Sequence, residues 1–509
     1  MRRKKINIAD HVARAARANP DHPAILFEGK TLTYGVLDAC ANALADSLRK
    51  HGVGRGDRVA LYLPNIPAFS LCYLAVLRAG AIAVSINSIF KADEFKFIAN
   101  DAGAKVVFTV AELLQYVPRA ECPAIAHVVN CEGVSQAVPA DFPALEDWLA
   151  AGSVDFRAED MRPDDPAALL YSSGTTGFPK GVTLTHNNIV TNIRTAAKCS
   201  GFRTNDRLAV FLPLFHVFAQ NYIMNGGFET GSTLVMFRRF VPDAVLASIE
   251  RERITMFFAV PTIFIALLNA NVPKAKLASL RYFFSAAATM PEEISRRWMD
   301  TYGHRVFEGY GLTECSPFAA YNHVSAPKFG SVGTAVEDFE LRIVDDEDRE
   351  VERGQWGEIA IRGPGVMKGY WNNPKDTAHT LRNGWLHSGD IGRMDEDGYV
   401  YIVDRVKDMI NVSGFKVWPA EVENMLYRHP AVQEVAVYGA PDPVKGEQVR
   451  IALVPKAGMT VTSDEIVAYC REKLAVYKAP EVVDIVRELP KSATGKILKR
   501  VLREQAAKG

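Results

Sequence analysis

Tyr171-Ser172-Ser173-Gly174-Thr175-Thr176-Gly177-Phe178-Pro179-Lys180-Gly181 gathers hydroxyls, glycines and a lysine into one short run. Ala167-Ala168-Leu169-Leu170 before it is apolar and reads as a buried strand. Val182-Thr183-Leu184-Thr185 after it reads as a second strand. A loop this rich in glycine offers little to a core. It can wrap an anion, because glycine lets the backbone approach closely and successive N–H groups form a nest for phosphate oxygens. Ser172, Ser173, Thr175 and Thr176 add hydroxyl donors, and Lys180 adds a point charge. The run is not a Gly-x-x-x-x-Gly-Lys-Ser/Thr loop opening into a helix, since Pro179 precedes Lys180 and Gly181 follows it. The plain alternative is a surface hairpin turn, which needs neither the hydroxyls nor the lysine.

Outward from this loop, strands and helices alternate. Helical spacing covers 10–19, 34–50, 67–79 and 91–100, with strands at 31–34, 58–63, 82–85 and 106–109. The pattern repeats with strands at 207–211, 256–260 and 282–285 and a helix over 241–252. Such βαβ alternation predicts a mostly parallel sheet with helices on both faces. From about Ser331 the texture becomes β-rich, with turns at Gly363-Pro364-Gly365 and Asp397-Gly398. After Arg405 comes a smaller segment with helices over 419–427 and 464–474 and strands at 434–438 and 450–454. The expected fold is α/β: a large N-terminal domain (1–404) of two doubly wound α/β halves plus a β-subdomain, and a small mobile α+β C-terminal domain (405–509). The boundary falls in the charged stretch 404–408.

A chain of 509 residues exceeds one ordinary domain. At 48% hydrophobic and 23% charged it can bury a large core. Lys+Arg and Asp+Glu are both 59, and this balance argues against nucleic acid as the main partner. Arg2-Arg3-Lys4-Lys5 is followed by no apolar run of the secretory kind, and nothing in the chain is apolar enough to span a bilayer. A peripheral membrane contact through that basic start is left open. The seven cysteines are scattered, without Cys-x-x-Cys, as in a reduced cytoplasmic protein.

Four further patches are costly for a plain fold. Leu212-Pro213-Leu214-Phe215-His216-Val217-Phe218-Ala219 sets one histidine among apolar residues; alone it reads equally as a satisfied core histidine. Glu308-Gly309-Tyr310-Gly311-Leu312-Thr313-Glu314 brackets an aromatic with glycines near carboxylates, or is a turn. Ser388-Gly389-Asp390 would pass as an Asx turn. Leu489-Pro490-Lys491-Ser492-Ala493-Thr494-Gly495-Lys496-Ile497 would pass as a solvated basic loop.

Taken together and in this order, these motifs resemble the acyl-adenylate-forming superfamily over nearly the whole chain, most of all bacterial fatty-acyl-CoA ligases. The resemblance implies two half-reactions. A carboxylate attacks the α-phosphate of ATP to give acyl-AMP and pyrophosphate; the thiol of coenzyme A then displaces AMP. It implies that Ser172, Ser173, Gly174, Thr175, Thr176, Gly177 and Lys180 grip the β- and γ-phosphates. Thr313 lies near the α-phosphate and Glu314 holds Mg²⁺. Tyr310, within Glu308, Gly309 and Gly311, stacks on adenine against Ala286, Ala287 and Ala288; a proline is common in the family where Thr289 stands. Asp390 takes the ribose hydroxyls, and Arg405 the ribose or phosphate. Lys496 bridges the carboxylate and the α-phosphate. Lys407 occupies the hinge position about which the small domain turns, bringing Ser413 and Gly414 to a pantetheine tunnel. His216 gates between the acyl pocket and that tunnel. Malonate-type members tend to carry an arginine where Gly309 stands, and Phe257 and Phe258 lie near, which favours an apolar monocarboxylic acid. A medium- or long-chain fatty acid is the first expectation and a benzoate or cinnamate the second; an acyl-AMP ligase loading a carrier protein is a third. Monomer and homodimer are both left open.

Overall fold

The computed structural model describes residues 6–132, 142–173, 179–323, 325–405 and 408–506. Two large sheets form the N-terminal part. The first runs, in spatial order, Gly369–Tyr370, Pro179–Thr185, Pro166–Ser173, Ile82–Ser85, Arg58–Leu61, Ala104–Thr109 and His127–Asn130. It is parallel from Pro166–Ser173 onward and antiparallel at the Pro179–Thr185 edge. The second runs Thr334–Ala335, Phe318–Tyr321, Val306–Gly311, Tyr282–Ser285, Met256–Ala259, Arg207–Val210, Thr233–Met236, Pro23–Phe27 and Lys30–Thr33. Its central strands are parallel. Strands such as Met256–Ala259 are buried along their whole length because helices cover both faces, so they read as unbroken apolar runs.

The two halves are not contiguous in sequence. The hairpin Pro23–Phe27 with Lys30–Thr33 belongs to the second sheet, where Ile25 sits opposite Leu234. The expected strand over 31–34 ends at Thr33, because Thr33 Oγ1 accepts the Val36 amide at 3.3 Å and caps the helix Tyr34–Lys50. Proline at the first turn opens the helices Pro67–Arg78, Pro242–Arg251 and Pro261–Asn269. The helices His186–Ser200, Pro261–Asn269 and Glu292–Tyr302 were not marked by the sequence pattern above.

The β-rich region is a four-stranded antiparallel sheet: Glu340–Val344, Gly357–Arg362, Leu386–Met394 and Val400–Arg405. Ser388-Gly389-Asp390 therefore lies within a strand, at an irregularity where Ser388 Oγ accepts the Asp390 amide at 3.1 Å as in a side-chain turn and Gly389 takes φ +71°. The C-terminal sheet comprises Phe415–Val417, Ile410–Val412, Gly446–Pro455 and Val432–Asp442, with Val482–Ile485 parallel to Gly446–Pro455. Among the described residues no helix is long and apolar enough to cross a membrane. The seven cysteines are free.

One buried charge ties the first helices together. Arg78 is 2% exposed, and its guanidinium donates to Asp38 O at 2.8 Å, Asn42 Oδ1 at 2.6 Å and Asp38 Oδ1 at 2.5 Å. Removing one partner of such a pair strands the other's polar groups. Arg78→Ala is expected to cost about 3 kcal/mol, read as a lower midpoint in denaturant unfolding; an unchanged midpoint would refute the role given to this residue.

Candidate active site

The motif residues converge at the carboxyl ends of the parallel strands, where open α/β sheets bind ligands. Ser173 ends Pro166–Ser173, Ser285 ends Tyr282–Ser285 just before Ala286, and Gly311 ends Val306–Gly311. The opening loop joins two antiparallel strands, with Ser172 opposite Lys180 and Ser173 opposite Pro179. It thus has the frame of a hairpin, and its tip, Gly174, Thr175, Thr176 and Gly177, lies outside the described residues. Lys407 lies outside them too.

Around Glu314 the hairpin meets residues the sequence reading missed. Glu314 is 9% exposed and its Oε1 accepts Tyr370 OH at 3.0 Å and Ser172 Oγ at 3.4 Å. Burial pushes its carboxyl above the ordinary range, and its own backbone amide and the Tyr370 hydroxyl pull it back. Lys180 Nζ pairs with Asp376 Oδ2 at 2.5 Å and stands 5.3 Å from the Tyr370 ring. Asp376 is held in the first turn of the helix Pro374–Thr380, whose cap is Asn373. Asn373-Pro374 is a local signal that could have marked this helix start, but nothing local sets its aspartate against Lys180. Among the described residues no group of three or more His, Cys, Asp or Glu could hold a metal alone. One carboxylate oxygen shared with two hydroxyls suits a Mg²⁺ that arrives with phosphates and keeps its waters.

Tyr310, Asp390 and Arg405 form a second group. Tyr310 OH donates to Asp390 Oδ2 at 2.7 Å, and Arg405 Nε pairs with Asp390 Oδ1 at 3.0 Å. Tyr310 and Asp390 are each 6% exposed. The Asp390 carboxylate raises the Arg405 pKa and keeps its guanidinium charged. Glu358, also unmarked by the motifs, accepts the Gly389 amide at 2.8 Å and pairs with His387 Nδ1 at 2.9 Å, bracing the strand segment that carries Asp390. Gly311 allows the chain to fold back: a Cβ there would stand 1.6 Å from Pro317 O. Thr313 and Glu314 follow in a short 3₁₀ turn. Ala287 takes φ +70°, an uncommon conformation for a side chain, beside buried Ala286 and half-buried Ala288.

The C-terminal loop reaches this place. Thr262 Oγ1 donates to Gly495 O at 3.2 Å, and Thr494 lines a cleft with His216, Phe218, Val260 and Ala287. Lys496 is close enough for its charge to act on His216. Burial first, and then that cation, push the His216 pKa down to about 4, so the ring is neutral at pH 7. His216 Nδ1 accepts the Phe218 amide at 3.3 Å, which assigns the ring proton to Nε2. Neutrality fits a gate better than a strong base. Ser413 and Gly414 lie instead at the exposed turn between Ile410–Val412 and Phe415–Val417, at φ +52° and +89°. A Cβ on Gly414 would meet nothing within 4 Å.

The model for the AMP-binding enzyme matches residues 12–371, and that for the AMP-binding enzyme C-terminal domain matches 421–496. The long-chain-fatty-acid–CoA ligase of Bacillus subtilis (strain 168) is 35% identical over 518 residues, covering 96% of this chain and 92% of its own. The feruloyl-CoA synthase of an Amycolatopsis species is 36% identical over 502 residues, covering 97% of each. The crystal structure of the anthranilate CoA ligase AuaEII in complex with anthranoyl-AMP superposes with a TM-score of 0.93 at 30% identity, over 99% of this chain and 98% of that one. ATP-bound MatB from Rhodopseudomonas palustris gives 0.91 at 32%, over 98% and 99%. The chain belongs to the AMP-binding enzyme family, as an AMP-forming acid–thiol ligase.

Glu308 carries a pH signature. It is 5% exposed, and burial lifts its carboxyl to about 8, with Arg305 opposing and Glu292 adding. Between about pH 4.5 and about 8 the folded protein keeps a proton that the unfolded chain releases, so stability falls as pH rises across that window. Glu308→Gln is expected to flatten that fall in denaturant titrations run from pH 5 to 8.5; an unaltered slope would count against the buried neutral acid.

Proposed function

We propose that this chain activates a medium- or long-chain fatty acid with ATP and Mg²⁺ and passes it to coenzyme A. The observation that carries the reading is the tail loop seated on the cleft, with Gly495 against Thr262 and the Lys496 charge acting on His216. Phosphoryl chemistry of this kind asks for positioning and charge neutralisation more than for a protein nucleophile. Lys496 would stand between the carboxylate and the α-phosphate, neutralising charge as it develops. Lys180 would exchange Asp376 for the departing pyrophosphate, assisted by the hydroxyls of the glycine loop. Tyr310 and the 286–288 wall would hold adenine, Asp390 and Arg405 the ribose, and Glu314 the ion, which supplies charge neutralisation to the phosphates when bound. Relatives named for long-chain fatty acids support the aliphatic acid. The aromatic side chains below Phe218 favour a second reading, an aryl acid, in line with the feruloyl relative.

The two-domain division at 404–408 and its hinge at Lys407 belong to the same proposal. The lysine needed for the first step would obstruct the thiol in the second, so the small domain turns and Gly414 replaces Lys496. Lys496→Ala should lower adenylation about 10²–10³-fold, measured as acid-dependent pyrophosphate release, and spare thioester formation from supplied acyl-AMP. Equal loss of both half-reactions would sink the bridging role. Lys407→Pro should slow thioester formation far more than adenylation, and unchanged coupled turnover would remove the hinge from that position.

A further inference from the structure

The strand that carries Ser172 into the site is pinned from its other face. Successive side chains of a strand point to opposite faces. Ser172 Oγ reaches Glu314 Oε1 at 3.4 Å, so its neighbour Tyr171 turns away from that carboxylate. On the far face Tyr171 OH donates to Asp101 Oδ2 at 2.5 Å. The ring lies against Gly181, its partner across the hairpin. A Cβ on Gly181 would stand 3.0 Å from Tyr171 Cζ and 3.2 Å from Trp371 Cβ.

Asp101 is a fixed anchor. It sits in the last turn of the helix Ala92–Ala102, where carbonyls find no partner within the helix. Trp371 Nε1 and Asn372 Nδ2 each donate to Asp101 O at 3.1 Å. Arg58 Nε donates to Ala102 O at 2.6 Å and its Nη2 to Gly103 O at 3.0 Å, a cation at the negative end of the helix dipole. The Trp371 amide donates to Gly181 O at 2.7 Å. Helix end, hairpin and the chain after the edge strand Gly369–Tyr370 thus close on one another, and the Tyr171 side chain fills the space between them. Burial first, and then the Asp101 carboxylate, raise the Tyr171 phenol far above its ordinary range, so it keeps its proton and donates.

Three side chains of the site ride on this unit. Ser172 is next to Tyr171 and opposite Lys180 on the hairpin. Lys180 Nζ meets Asp376 Oδ2 at 2.5 Å. Tyr370, next to Trp371, donates to Glu314 Oε1 at 3.0 Å. Each owes its position to backbone that the Tyr171–Asp101 bond holds in place. Reacting groups displaced by about 1 Å can lose about 10²-fold in rate, so a bond outside the cleft can govern the chemistry within it.

We propose that Tyr171 and Asp101 are positioning residues for the adenylation half-reaction, their hydrogen bond setting the hairpin from which Ser172 and Lys180 act. The inference rests on the acyl-CoA ligase reading and gives neither residue a contact with substrate. The test uses the full-length protein and the best acid from a panel of saturated C8 to C18 acids and ferulate. Adenylation is read as pyrophosphate release with ATP and Mg²⁺, and the second step as thioester formation from supplied acyl-AMP and coenzyme A. Tyr171→Phe keeps the ring against Gly181 and removes the bond; it should lower kcat for adenylation about tenfold and leave KM for the acid and thioester formation unchanged. Asp101→Ala should do the same, and Asp101→Asn, which keeps an oxygen acceptor, should retain most of the wild-type rate. The double variant Tyr171→Phe/Asp101→Ala should fall no further than either single one. Should Tyr171→Phe fail to fold, the contrast of Asp101→Ala with Asp101→Asn carries the test. A folded Tyr171→Phe with unchanged adenylation, equal loss of both half-reactions, or an Asp101→Asn as slow as Asp101→Ala overturns the positioning role. No pyrophosphate from the wild type with any acid would overturn the ligase reading itself, a result distinct from unaffected variants of an active enzyme.

Discussion

The contact on which the site depends is small: one threonine hydroxyl, Thr262, meeting one backbone carbonyl, Gly495, at 3.2 Å. It seats a loop from the last part of the chain on a cleft built by strands far earlier in sequence. Gly495 takes φ +81° there, and a Cβ would stand 3.1 Å from Val260 Cγ2 and 3.3 Å from Thr262 Oγ1. Glycine is thus required for conformation and for approach alike. The lysine next to it inherits its place from that fit.

The rest of the cleft is organised by burial. Glu308, Glu314 and Asp390 are each under a tenth exposed, and each meets its burial differently. Glu308 keeps its proton, Glu314 shares its oxygen with two hydroxyls, and Asp390 takes a tyrosine and an arginine. The cations lie around this group, Lys180 on Asp376, Arg405 on Asp390 and Lys496 near His216, which burial first and then the Lys496 charge leave neutral. Polyphosphate chemistry in such a place gains from fixed dipoles and charges that need not reorganise as the reaction proceeds.

The aromatic side of the cleft, below Phe218, follows the opposite rule. There the chain spends aromatic rings instead of charges, and the hydroxyls of Tyr222, Tyr282, Tyr321 and Ser200 satisfy one another. One end of the cleft is thus lined by charges and the other by aromatic rings.

The motifs were readable because their chemistry demands unusual local composition: glycine with hydroxyls, a glycine-bracketed tyrosine, a lysine after Thr-Gly. Parallel strands buried on both faces were readable as apolar runs, and most expected strands lie where the periodicity put them. Three things were not. The hairpin Pro23–Phe27 with Lys30–Thr33 joins the second sheet because Ile25 pairs with Leu234, a partner that local periodicity does not encode. Asp376 faces Lys180, and Tyr370 faces Glu314, only because the edge strand Gly369–Tyr370 pairs with Pro179–Thr185. The hydroxyl pairs Ser200–Tyr222 and Tyr282–Tyr321 join a helix end, a π-turn and two strands, each ordinary alone. Local sequence determined which residues could do chemistry, through propensity and composition; long-range strand pairing decided which of them stand together, because only a folded sheet brings distant carboxyl ends to one edge.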